Sequence, residues 1–320
     1  MTTDLLIAPP GRRVAARIEE LIGNTPLVRL AVPDAAPGTE VLAKIESANP
    51  FASSKDRAAL AMLHGAEQRG DLPPGGTVIE STSGNTGIAL AALCAVRGYR
   101  CLVVLPDSAT PERVGLLAAL GAEVVRTPSA DGFPAAIAKA EEIEAATPGS
   151  WYMRQHENPD NVRAHYESTG PEIWADTGGR VDVLVAGIGT GGTLTGAGRF
   201  LRERSPSVEI VAVEPAGSPV LSQGYGGSHR IPGLNGGFVS PATDIELIDR
   251  VLTCSDDDAL ATSRALTKEQ AVFAGVSAGA AVHGALRLAR DPAYAGRTIV
   301  VILPDTGERY VSIWNEGTSA

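Results

Sequence analysis

Lys55 is the residue of this sequence best placed to act as a nucleophile. It lies in Asn49-Pro50-Phe51-Ala52-Ser53-Ser54-Lys55-Asp56-Arg57, between a β-rich run, Val41 to Ile45, and a helical run from Arg57 to Arg69. This spacing puts its amine where a loop enters a helix N-terminus. The positive end of the helix dipole disfavours a second positive charge there and lowers the pKa of an amine. A neutral amine attacks a carbonyl, whereas an ammonium does not. A solvated lysine, with Asp56 opening the helix, is the competing reading of the nonapeptide taken alone.

Two further turns carry chemistry. Gly187-Ile188-Gly189-Thr190-Gly191-Gly192-Thr193 joins an apolar strand to a helix. Glycines there let the backbone approach closely, so that several N–H groups point at one anion at a helix N-terminus, as a phosphate requires. Gly187, Gly189 and Gly192 also satisfy the dinucleotide pattern, with Glu214 about 20 residues on. A nicotinamide-binding domain is therefore a rival, although that fingerprint belongs to a first βαβ unit and leaves Lys55 without a role. Thr82-Ser83-Gly84-Asn85-Thr86 is a second strand-to-helix turn, rich in hydroxyl, amide and N–H donors that suit a carboxylate. One such residue would suffice as a helix cap; here there are four within five positions.

Other patterns carry less. Gly275-Val276-Ser277-Ala278-Gly279 matches a hydrolase nucleophile elbow. Its partners should follow as an acid and then a histidine, but no histidine lies beyond Asp305. The five histidines, His64, His156, His165, His229 and His283, show no metal spacing and read as ordinary polar or structural residues.

The elements that must position these turns follow a βα alternation. Strands are expected at Thr77–Glu80, Cys101–Leu105 and Glu123–Arg126, with an Ala/Leu-rich helix after the Ser81–Gly87 turn that ends near Gly98, and helices at Pro111–Leu120 and Phe133–Ala146. A polar, Asn/Pro-rich stretch from Trp151 becomes helical before Gly178. A second series follows: strand Val181–Ala186, helix Thr193–Arg204, strand Glu209–Glu214, helices Asp256–Glu269 and Gly279–Ala289, and strand Thr298–Leu303. Alternation of this kind predicts an α/β fold of two lobes with mostly parallel sheets and a cleft between them. Ser218–Pro241 is Gly-rich and too long for a simple connector, a length that usually marks function.

Composition narrows the partners. With 44% hydrophobic and 20% charged residues over 320 positions, the chain reads as an ordinary globular protein. Its formal net charge of -10 argues against nucleic acid. No apolar run reaches the roughly 18 residues of a membrane span. Met1 to Glu20 lacks the apolar core of a signal peptide, and three cysteines without metal spacing fit a reducing, cytoplasmic setting.

Taken jointly, the motifs resemble the cysteine synthase family, the β-replacing branch of fold-type II pyridoxal-phosphate enzymes, whose fold is like that of the tryptophan synthase β-subunit. The resemblance covers roughly residues 16 to 312. It rests on Gly23-Asn24-Thr25-Pro26-Leu27, Asn49 to Arg57, Glu80 to Gly87, Asn158-Pro159, Thr169 to Trp174, Gly189 to Thr193, Ser277 and Pro304 to Tyr310. It implies pyridoxal 5′-phosphate as cofactor, with Lys55 as the Schiff-base lysine and Asn85 bonding the 3′-oxygen. Gly189, Thr190, Gly191, Gly192 and Thr193 would hold the phosphate, Ser277 would face the pyridine nitrogen, and Pro304 would border the cofactor. Thr82, Ser83, Asn85, Thr86 and Gln155 would hold the substrate carboxylate, with Gly233 in the loop beside the substrate side chain.

The implied reaction is β-replacement on an activated L-serine through an α-aminoacrylate: O-acetylserine plus sulfide giving cysteine and acetate. The neighbouring readings are an O-phosphoserine substrate, a nitrogen nucleophile giving a 2,3-diaminopropionate-type product, or cystathionine β-synthesis. The resemblance also implies a homodimer, a smaller mobile lobe at 47–152, a larger lobe of 12–46 plus 153–320, and a candidate partner in the C-terminus of a serine acetyltransferase. Departures fall near the substrate: Ser81 replaces the usual Pro or Ala, Pro232 the usual Gln, Asn235 the usual Gly, and Ala109-Thr110 stand where Met-Ser is usual.

Overall fold

The structure, a computed structural model, describes residues 14–82 and 84–315. β1 (Leu27–Leu30) and β2 (Glu40–Ile45) begin one sheet. The chain then leaves it through α1 (Lys55–Arg69), β3 (Thr77–Ser81), α2 (Asn85–Arg97), β4 (Arg100–Pro106), α3 (Pro111–Ala119), β5 (Glu123–Thr127), α4 (Gly132–Ala146) and β6 (Ser150–Tyr152). These four strands form their own parallel sheet, in the order β5-β4-β3-β6. The chain returns through α5 (Pro159–Ala164), a π-helical turn at His165–Thr169 and α6 (Gly170–Asp176). It continues with β7 (Val183–Gly187), α7 (Gly192–Arg204), β8 (Glu209–Pro215), β9 (Arg250–Cys254), α8 (Asp256–Gln270), α9 (Val276–Arg290), β10 (Thr298–Leu303) and α10 (Val311–Asn315). The larger sheet runs β1-β2-β10-β7-β8-β9 and is parallel except for the antiparallel pair β1–β2.

Both sheets are buried on both faces, which is why their central strands read as continuous apolar runs. In β10, Ile299 to Leu303 are all buried. Its two faces divide by the period of two: Ile299, Val301 and Leu303 pack with α9, whereas Val300 and Ile302 pack with Leu194, Ala197 and Leu201 of α7. The smaller sheet is sandwiched in the same way. Val78, Val103 and Leu105 meet Met62, Leu63, Leu90 and Leu93 on one side; Ile79, Leu102 and Val104 meet Ala136 and Ala140 on the other. With aromatics scarce, close backbone packing replaces side-chain bulk: a Cβ on Gly279 of α9 would lie 2.1 Å from the Ala259 carbonyl oxygen of α8.

The structure departs from the sequence reading in several places, one of them β6, a three-residue strand at Ser150–Tyr152 that pairs with β3 where a polar stretch is expected. β9 is an additional edge strand; Arg250 is exposed and Val251 to Thr253 are half-buried, so it lacks the continuous apolar run of the central strands. α9 begins three residues early, at Val276, so Ser277 lies in its first turn rather than in a preceding loop. α1 begins at Lys55 itself. Among the described residues no helix is long and apolar enough to cross a membrane, and no cluster of His, Cys, Asp and Glu could hold a metal.

Candidate active site

Lys55 opens α1 and is held there by its neighbours. Asp56 accepts from the Phe51 N–H at 2.7 Å and from Ser53 Oγ at 3.1 Å, closing the loop upon itself. The Ser54 N–H donates to the Pro304 carbonyl at 2.8 Å, and Ser53 bridges to Asp305. The lysine is thus tied to the end of β10, the middle of the larger sheet. Behind it, Arg57 forms ion pairs with Glu46 at 2.7 Å and Glu172 at 2.6 Å, and Lys44 reaches Glu172 at 2.9 Å. Burial lowers the Lys55 pKa from its ordinary value, against the opposing fields of Asp305, Glu46 and Asp56.

The glycine-rich turn between β7 and α7 forms a second wall. Gly191 takes a φ of +81°, which only glycine adopts freely. A Cβ on Gly189 would lie 2.4 Å from the Gly233 carbonyl oxygen, so the backbones meet there without room for a side chain. The hydroxyls of the turn are oriented from behind: Asn161 Nδ2 donates to Thr190 Oγ1 at 3.0 Å, and Thr193 Oγ1 lies 3.1 Å from His165 Nε2. A pocket of about 40 Å³ sits on this N-terminus, lined by Gly187, Gly189, Thr190, Gly191 and Thr193 together with Lys55 and Ser277. Gly192 backs the turn; a Cβ there would strike Asn161. A glycine cradle at the start of a 13-residue helix, within reach of an amine, fits the phosphate and the aldehyde ends of pyridoxal phosphate.

The turn after β3 faces this cradle across a cavity of about 410 Å³. Lys55, Thr82, Asn85, Thr86, Gln155, Gly189, Thr190, Gly233, Ser277 and Pro304 all line it. Ser83 lies outside the described residues. Thr86 Oγ1 donates to Gln155 Oε1 at 2.6 Å. Gln155 follows Arg154, whose φ of +50° turns the chain sharply at the end of β6. Both ends of the Asn85 amide are engaged: Nδ2 donates to Asp305 Oδ2 at 2.7 Å, and Oδ1 accepts from Arg309.

Several lining residues have no role of their own in the sequence reading, although Phe238 closes the 229–238 loop that the resemblance sets beside the substrate. Asp305, 2% exposed, accepts from Asn85 and Tyr310, and burial raises its pKa. Arg113 lies over the Tyr310 ring at 5.7 Å. Phe133, His156 and Phe238 form an aromatic end to the cavity. Of these, Asp305 and Tyr310 stand in the Pro304–Tyr310 motif, and His156 directly follows Gln155, so adjacency was the available signal. Glu214, the acid a dinucleotide site would use, is fully buried and accepts from Leu221 N, Ser222 N and Ser222 Oγ; it is spent on the chain itself.

Comparison with known proteins gives one consistent result. The family of pyridoxal-phosphate-dependent enzymes matches residues 18–305. Cysteine synthase A of Escherichia coli K12 is 46% identical over 300 residues, covering 91% of this chain and 92% of that protein. Among solved structures, cysteine synthase of Entamoeba histolytica superposes with a TM-score of 0.94 at 39% identity, over 98% of this chain and 94% of its own. O-Ureido-L-serine synthase gives a TM-score of 0.91 at 42% identity, over 96% and 97%.

Proposed function

The chain belongs to the pyridoxal-phosphate-dependent enzymes, and from that premise we propose that it is a cysteine synthase, exchanging the acetate of O-acetyl-L-serine for sulfide. The observation that carries this reading is the meeting of three features in one cavity: a buried amine, a glycine cradle at a helix N-terminus and a donor-rich turn.

When bound, the cofactor supplies an aldehyde that captures the substrate amine and a ring that withdraws electrons from Cα. The chain does the rest. Gly189 to Thr193 hold the phosphate with backbone N–H groups and two hydroxyls. Thr82, Ser83, Asn85, Thr86 and Gln155 are the residues the resemblance assigns to the substrate carboxylate, and Thr82, Asn85, Thr86 and Gln155 line the cavity. Lys55 takes the Cα proton and later returns it, a role that suits an amine whose pKa burial has lowered. Ser277 offers the ring nitrogen a hydroxyl in place of a carboxylate, which disfavours a long-lived carbanion and so favours prompt β-elimination. Pro304 and Gly233 wall the site.

The carboxylate turn belongs to the smaller sheet and the phosphate turn to the larger. A substrate held by both draws them together, and closure excludes water from the reacting centre. Residues 47–152 are the unit we expect to move. The family resemblance further supports a homodimer and a serine acetyltransferase C-terminus as partner. A cytoplasmic setting is supported by three buried, free cysteines, Cys94, Cys101 and Cys254.

The purified protein should absorb visible light and form cysteine from O-acetylserine and sulfide. Lys55→Ala should lose the covalent link and slow turnover by about 10²–10⁴-fold or more. No acetate release with O-acetylserine would sink the reading. A second reading, another nucleophile in place of sulfide, is favoured by the likeness to O-ureido-L-serine synthase, and product mass separates the two.

A further inference from the structure

The aromatic end of the cavity holds one group that the proposed chemistry does not yet use. His156 lies between Phe133 and Phe238, with ring centroids 5.9 Å and 5.2 Å away. Its carbonyl accepts from Ser240 Oγ at 2.7 Å and from the Ala242 N–H at 3.1 Å, so the long loop that begins at Ser218 is fastened to it. The ring lines the same cavity as Lys55.

The two ring nitrogens differ. Nδ1 is enclosed and has no hydrogen-bond partner among the described residues, whereas Nε2 is not enclosed in that way. A neutral imidazole carries one proton. On Nδ1 that proton would be a buried, unsatisfied donor, at a cost of about 1–3 kcal/mol. A bare lone pair in the same place costs less, because under-satisfied acceptors are better tolerated than orphaned N–H groups. The enclosure therefore selects the Nε2–H tautomer, which leaves the donor on the nitrogen that is not enclosed. Burial, with Lys55 as the second influence, lowers the pKa of the ring to about 4, so the imidazole is neutral near pH 7.

With a carboxylate bound at Thr86 and Gln155 and the Cα beside Lys55, the rest of the cavity lining, which includes His156, is what remains for the β-substituent. We propose that His156 recognises the leaving group there, its Nε2–H donating to an oxygen of an ester-type β-substituent. This rests on the cysteine synthase reading and adds a specificity residue to it. As the Cβ–O bond breaks, its electron pair departs with acetate, and the Cα proton has gone to Lys55. His156 keeps its proton throughout, so it acts as a hydrogen-bond donor and not as an acid.

The test compares O-acetyl-L-serine with β-chloro-L-alanine, whose leaving group has no oxygen, using the holoenzyme and sulfide. His156→Phe keeps an aromatic ring and removes the donor. The ratio of kcat/KM for O-acetylserine to that for β-chloroalanine should fall about tenfold, the worth of one neutral hydrogen bond. His156→Gln, which can place an N–H near Nε2, should restore most of that ratio. An unchanged ratio in His156→Phe would overturn the proposal, because a packing role would slow both substrates alike. Nitrogen-15 NMR of the parent holoenzyme supplies a measurement that no folding defect can confuse. The Nε2–H tautomer is expected, and an Nδ1–H tautomer overturns the proposal. A parent enzyme inert toward O-acetylserine would instead remove the cysteine synthase reading, and the tautomer would still decide what the ring presents to the cavity.

Discussion

Asn85 and Asp305, 220 positions apart, meet across the cleft through one hydrogen bond, Nδ2 to Oδ2 at 2.7 Å. Asn85 opens the helix after the smaller sheet's β3, and Asp305 follows β10 in the larger sheet. The same carboxylate accepts from the buried Tyr310 hydroxyl. Asp305→Ala leaves both donors without their acceptor and should lower the urea-unfolding free energy by about 1–3 kcal/mol. Asp305→Asn retains an acceptor oxygen and should recover most of the loss. Equal damage from the two variants would mean that charge, and not acceptance, is what the position supplies.

Thr86 and Gln155 are bonded to each other at 2.6 Å and line the cavity together. Gln155→Ala removes an amide donor to a charged carboxylate, and Thr86→Ala removes the hydroxyl that orients that amide. KM for O-acetylserine should rise by about ten- to a hundredfold with the cofactor retained. A poorly closed cleft should also release more pyruvate per cysteine formed, measured by coupled lactate dehydrogenase. Parent-like KM and parent-like leakage in both variants would show that the carboxylate sits elsewhere.

Gly189 tests the phosphate cradle. Its missing Cβ would stand 2.4 Å from the Gly233 carbonyl oxygen, and neither party is a flexible side chain. Gly189→Ala must push the turn and the facing loop apart, at a cost of about 1–3 kcal/mol. Titration of the apo-protein with pyridoxal phosphate, followed by its visible absorbance, should give a weaker Kd. Unchanged affinity would remove this turn from the cofactor site.

Glu80 carries a pH dependence. It is 1% exposed at the end of β3, its Oε2 has no partner among the described residues, and burial raises its pKa from 4.5 to about 8. Backbone N–H groups of Gln155 and Arg154 oppose that rise without cancelling it. The fold therefore favours the protonated acid. Its contribution to stability is complete below pH 4.5 and is lost as pH rises through about 8. Glu80→Gln cannot ionise, so its urea midpoint should gain on the parent's across that window. Parallel curves would mean that Glu80 is charged throughout.

The local pieces of the site were legible in the sequence because each is a strand, a turn and a helix in succession. The nonapeptide around Lys55, the glycines before Thr193 and the donors from Thr82 to Thr86 announce themselves by residue type and by a switch of apolar period from two to 3.6. β10 was readable to its ends, Thr298 and Leu303, because a strand covered on both faces is a continuous apolar run. β9 was not, because an edge strand keeps one side in solvent and loses that signature. Asp305 beside Asn85, the enclosed and unpartnered His156 Nδ1 and the raised pKa of Glu80 have no local pattern at all. Each depends on what residues far away in the chain place around a buried polar atom. Desolvation and hydrogen-bond pairing are set by that enclosure, and only the packing of the two sheets around one cavity creates it.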